Sequence, residues 1–191
     1  MNRRNLLAVF GASVALPACT TNQLDPLAAN AAKSYFAQSI TVTPSATFIA
    51  NVQTLKGGTP EELASAFARD VKTGLEGDLK GVMRGSSPAT IMIEFHSLDI
   101  LDTNFSAVGL TVHSTVTIVD ATTNSKIATF DVQADDDDMR NATNRDPMAA
   151  LAGTLLLKAV VPAKNLALWN LARVYRGEVK KRMGAKTFPG T

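Results

Sequence analysis

The sequence predicts an α+β domain, a two-layer sandwich with a mainly antiparallel sheet of about four strands and two helices on one of its faces. Two observations predict it. Three segments between residues 90 and 134 alternate apolar and polar side chains with period two, and two further segments carry apolar residues at helical spacing behind recognisable start signals. The element order is β-α-β-β-β-α. Alternation with one apolar side belongs to an antiparallel sheet with a single covered face, and the helices supply the cover.

The first strand is predicted over Phe36–Val42, with Phe36, Gln38, Ile40 and Val42 on one side and Pro44 as its end. Before it, the Ala-rich stretch 27–33 reads either as a helical turn or as more tether. The first helix announces itself at Thr59-Pro60-Glu61-Glu62: Thr59 as N-cap, proline at the first helical position and Glu62 placed to close a capping box. Leu63, Ala66, Phe67, Asp70, Val71, Gly74 and Leu75 follow with helical spacing, Asp70 alone breaking the apolar stripe, and Leu79 and Val82 continue it. Gly74, Gly77 and Gly81 each cost about 1 kcal/mol relative to alanine in a helix, so the end of this helix frays or packs closely.

The three alternating strands come next. Ile91, Ile93 and Phe95 point inward with Met92, Glu94 and His96 outward; Leu110, Val112, Val116 and Ile118 point inward from a strand that ends at Asp120; Ala128, Phe130 and Val132 share a face of the third. Residues 120–125 read as the hairpin loop. The final helix is predicted from Pro147 to about Met183, capped by Asp146, interrupted at Pro162 and ending in Lys180, Lys181 and Arg182, where positive charge suits a helix C-terminus.

Ahead of this domain the chain opens MNRRNLLAVFGASVALPAC. Arg3 and Arg4 precede an apolar run of about a dozen residues, too short for the roughly 20 that a membrane-spanning helix needs. It reads as an export signal. Leu16-Pro17-Ala18-Cys19 resembles the lipobox of bacterial lipoproteins, with the chain's single cysteine at the cut and Pro17 as a departure from the usual small or β-branched residue. The resemblance implies a covalent lipid on Cys19, and Thr20 in the next position implies sorting to the outer membrane. Several acyl chains give the stable anchoring that one does not. The organisation that follows is signal 1–18, lipidated Cys19 and tether 19–34, one domain 35–184 and a tail 185–191. Arg3-Arg4 also resembles a twin-arginine export signal.

Taken with the tether and the element order, the lipobox makes the chain resemble small bacterial outer-membrane lipoproteins whose domain is similar to the amino-terminal domain of TolB, the periplasmic domain of CsgG, or LptE. That resemblance implies a role in assembly, trafficking or scaffolding in the envelope, through the lipid anchor and a protein partner, and no catalytic residue.

Charge and motifs narrow the chemistry. The chain holds 19 basic and 17 acidic residues; losing Arg3 and Arg4 leaves 17 of each, without the basic footprint that nucleic-acid binding calls for. No nucleophile elbow, zinc-protease helix, phosphate loop or dinucleotide turn is present. No cofactor is expected. His96 and His113 fall on outward positions of neighbouring strands beside Glu94, a two-histidine, one-carboxylate set that suits a metal or, more simply, a solvated sheet face. Asp135, Asp136, Asp137 and Asp138 read as a solvated acidic loop, because consecutive carboxylates lack the alternating spacing of a calcium loop. Ser106 and Ser114 have acidic or histidine neighbours in sequence, which does not make a triad. Trp169 reads as a core anchor. The expected function is non-enzymatic and accessory; the alternative is a carrier or sensor of a small apolar or lipid ligand.

Overall fold

A computed structural model describes residues 25–53, 55, 58–103, 107–136 and 166–185. The signal, Cys19, Asp137, Asp138, Ser106 and the first half of the predicted final helix lie outside the described residues. These form, in chain order, α1 (Pro26–Ser34), β1 (Tyr35–Pro44), α2 (Ala46–Val52), α3 (Pro60–Asp78), a 3-10 turn (Leu79–Gly81), β2 (Ser87–Thr103), β3 (Ala107–Asp120), β4 (Lys126–Asp135) and α4 (Leu166–Arg182). The strands make one sheet in the order β1-β2-β3-β4. β1 runs parallel to β2, and the other two pairings are antiparallel. The α+β two-layer fold is therefore the predicted one, with a mixed edge. Among the described residues no helix is long and apolar enough to cross a membrane.

The parallel edge follows from the connection. A parallel pair requires a crossover rather than a tight turn, and α2 with α3 supplies it. α3 is built as its start signal predicts: Thr59 Oγ1 accepts from Glu62 N and Glu62 Oε2 accepts from Thr59 N, at 3.2 and 3.0 Å. α2 starts on Ser45, whose Oγ accepts from Phe48 N and donates to the carbonyl of His96. α1 starts on Asp25, whose carboxylate accepts from Ala28 N. Its buried alanines Ala28, Ala31 and Ala32 join the core.

The described helices all bury residues against one face of the sheet. Ile91, Ile93, Phe95, Val116, Ile118 and Phe130 meet Leu63, Phe67, Val71, Leu171, Tyr175 and Val179 in a single core. At its centre Phe95 lies 5.3 Å from Phe48, 5.0 Å from Phe67 and 5.1 Å from Tyr175, ring centre to ring centre. Ring pairs at these separations gain about 1 kcal/mol beyond the area they bury.

Two local departures change which side chains face the core. In β1 an extra residue, Gln38, stands between the pairs Ala37–Ala89 and Ser39–Thr90. That bulge flips the alternation, so Ile40 is buried while Phe36, predicted inward with it, is exposed. In α4 the buried stripe is Leu168, Leu171, Ala172, Tyr175 and Val179; Trp169, predicted as a core anchor, lies beside that stripe and is only partly buried.

Tyr175 carries its hydroxyl into the core and finds a partner there. It is 2.7 Å from Ser114 Oγ, which also lies 3.3 Å from the Val132 carbonyl. Burial pushes the Tyr175 phenol well above its usual range, which raises the folded-state value above the unfolded one. That contribution is complete below pH 10, the ordinary tyrosine value, and is lost as pH rises from there, because the unfolded chain releases a proton the folded chain keeps. Comparing urea midpoints of wild type and Tyr175→Phe between pH 9 and 11 should show the wild type losing more stability above pH 10. Equal losses would contradict the buried hydroxyl.

Candidate functional site

The sheet face away from the helices is open among the described residues, and the sequence-predicted polar residues lie on it. β2, β3 and β4 carry a connected array there. Thr115 on β3 donates to Asp131 Oδ1 on β4 at 2.8 Å, and His96 on β2 lies 2.8 Å from the same threonine oxygen. The threonine proton being engaged, His96 Nε2 is the donor of that contact. Ser39–Thr90 and Thr117–Thr129 form hydroxyl pairs at 3.0 and 3.3 Å across neighbouring strands. Among these polar groups Met92 is 49% exposed, and Phe36 on β1 is 39% exposed.

His96 and His113 are not register partners. Glu94 pairs with Thr115 and Phe95 with Ser114, so an unbroken register would set His96 opposite His113; instead Ser97 does so. His96 is the extra residue of a second bulge, and its carbonyl is taken by the Ser45 hydroxyl. His113 instead contacts Asp99 Oδ2 at 3.2 Å. Among the described residues no group of three histidine, cysteine or carboxylate side chains is placed to hold a metal. Ser114, next to His113 in sequence, points to the opposite face and is buried with Tyr175. The strand geometry thus puts Ser114 and His113, adjacent in sequence, on opposite faces.

The acidic run begins as a structural stop. Asp135 ends β4. Asp136 Oδ1 accepts from Leu110 N at 2.8 Å while its own N–H donates to the Leu110 carbonyl at 3.1 Å, closing the end of the β3–β4 ladder. At the other end of that ladder, Asp120 Oδ1 accepts from Thr122 N and Thr123 N at 2.8 and 2.9 Å, and its other oxygen from the Tyr35 hydroxyl. The Thr123 and Thr122 N–H groups hold its carboxyl below the usual range.

A concavity lies on the helical layer, which sequence reading did not find. It is an open groove of about 410 Å³ between α3 and α4, lined by Arg69, Asp70, Thr73 and Gly74 from one helix and Trp169, Ala172, Arg173 and Arg176 from the other. The signal was present as spacing: 69 with 73, 70 with 74, and 169 with 173 and 176 fall on single helix faces. Gly74 makes the approach possible, since a Cβ there would overlap the Arg176 guanidinium. Asp78 neighbours that arginine as an ion pair without a hydrogen bond between the two, its Oδ2 3.3 Å from Arg176 Nε and its Oδ1 3.5 Å from Lys180 Nζ.

No protein-family model and no curated protein matches the sequence. Similarity to solved structures is distant. A hypothetical protein of Chlamydia trachomatis is 13% identical, with a TM-score of 0.38, over 81% of this chain and 99% of that one. A presumed lipoprotein of Caulobacter crescentus is 12% identical, with a TM-score of 0.31, over 83% and 97%. A Xanthomonas campestris protein of the family DUF330 is 10% identical, with a TM-score of 0.37, over 85% and 88%.

Proposed function

We propose that the chain is a bacterial envelope lipoprotein, anchored in the outer membrane through a lipid on Cys19, whose periplasm-facing domain serves as a non-enzymatic accessory or assembly component by binding a protein partner. The observation that carries this reading is the open sheet face. Its hydroxyls, imidazole and carboxylate are already oriented by one another, so little side-chain freedom remains to be lost on contact, and Met92 adds exposed apolar area among them. The lipobox supports the anchor. Its position six residues before Asp25 sets a tether of about 20 Å at full extension, which keeps the domain close to the membrane.

The alternative, a carrier or sensor of a small apolar or lipid ligand, calls for an apolar cavity of several hundred Å³. The α3–α4 groove has the volume but not the lining, since three guanidinium groups border it.

A photo-crosslinking residue placed at Met92 or Thr129 of the full chain in its native host tests the partner reading. The expected result is one discrete envelope-protein adduct from both positions and none from Lys72 on the exposed side of α3. Adducts of equal yield from all three positions would contradict it.

A further inference from the structure

Three arginines line the α3–α4 groove, which lies apart from the open sheet face. Arg69, Arg173 and Arg176 border it against a single lining carboxylate, Asp70. Arg176 is not a loose surface side chain: it lies across Gly74 and is half-buried beside Asp78, its ion-pair partner, which is shared with Lys180. Arg69 forms no ion pair among the described residues and is exposed on the rim. Trp169, partly buried, supplies a flat apolar wall on the α4 side. Thr73 adds a hydroxyl that both donates and accepts.

This set has a definite chemical complement. A guanidinium presents paired N–H donors that match two oxygens of an anion, and such charge-assisted contacts are roughly twice as strong as neutral ones. A carboxylate has two oxygens and satisfies one such fork; a phosphomonoester has three terminal oxygens and close to two negative charges, and suits three guanidiniums that border one groove from two helices. The tryptophan face accommodates the uncharged carbon portion that a phosphomonoester carries. We infer that the α3–α4 groove is a binding site for a phosphomonoester, with Arg69, Arg173 and Arg176 on the phosphate and Trp169 against the attached organic part. The inference stands apart from the lipid on Cys19 and from the partner on the open sheet face. Either a soluble phosphate ester or a lipid headgroup supplies this chemistry.

The chain's single tryptophan stands in the groove, so binding reports itself. Full-length chain in an uncharged detergent is titrated with glycerol 3-phosphate, and separately with phosphatidic acid in micelles of that detergent, while Trp169 fluorescence is followed. The expected result is a saturable change with at least one probe. It should weaken at least tenfold in Arg69→Gln/Arg173→Gln and be unchanged in Lys72→Gln, each with a wild-type melting temperature. Response to both probes assigns the site to the phosphate ester itself; response to phosphatidic acid alone assigns it to a headgroup presented in a lipid surface. No saturable change with either probe, or equal affinity in the double arginine variant, overturns the proposal.

Discussion

Phe95→Ala should remove about 3–5 kcal/mol of stability, the range for deleting a fully buried phenylalanine. Phe95 is fully buried and is the ring that the other three share, touching Phe48 from α2, Phe67 from α3 and Tyr175 from α4. Alanine therefore opens a void where three helices meet the sheet, and no single neighbour can collapse into it. Against a total of about 5–15 kcal/mol for a typical domain, a large share of the folded population's margin is lost. Urea denaturation should show a much lower midpoint, while Phe95→Leu, which refills most of the volume, loses considerably less. A Phe95→Ala cost under about 1 kcal/mol would mean the cluster is not the centre of the core.

Gly85→Val should be comparably severe through the backbone instead of the core. A Cβ at residue 85 would overlap the backbone of Ser34 and Tyr35, at the junction of α1 and β1. Main chain cannot swing aside as a side chain can, so α1 must shift. The Gly85 N–H to Tyr35 carbonyl and Arg84 N–H to Ala32 carbonyl hydrogen bonds, at 3.1 and 3.2 Å, depend on that closeness. Losing both costs about 1–3 kcal/mol, and overpacking adds about 1–3 more. Hydrogen exchange distinguishes the route: amides of α1 should lose protection first, ahead of those in β2 and β3. Unchanged protection in α1 would show that the junction yields without cost.

Much of this fold was legible because its signals are local. The alternation from Thr90 to Ala134 reports directly which side chains face the helices, and α3 carries its own start signal in Thr59, Pro60 and Glu62. What was not legible depends on partners distant in sequence. The bulge at Gln38 turns Phe36 outward, and only the pairing with Ala89 and Thr90 reveals it. The bulge at His96, with Ser45 on its carbonyl, takes His96 out of register with His113, its partner in a simple ladder. α1 packs on small alanines, which carry little hydrophobic signal, and α2 is only seven residues long. The arginine groove escaped for a related reason: each helix contributes a face of ordinary surface residues, and the concentration of charge exists only where the two faces meet.

The central claim, that this domain is a lipid-anchored envelope component, is tested most directly at Cys19. Metabolic palmitate labelling of wild type and Cys19→Ala in a Gram-negative host, followed by membrane fractionation, should give label only in the wild type. It should also place the wild type in the outer membrane fraction and release Cys19→Ala from it. An unlabelled wild type recovered soluble in the periplasm would contradict the account.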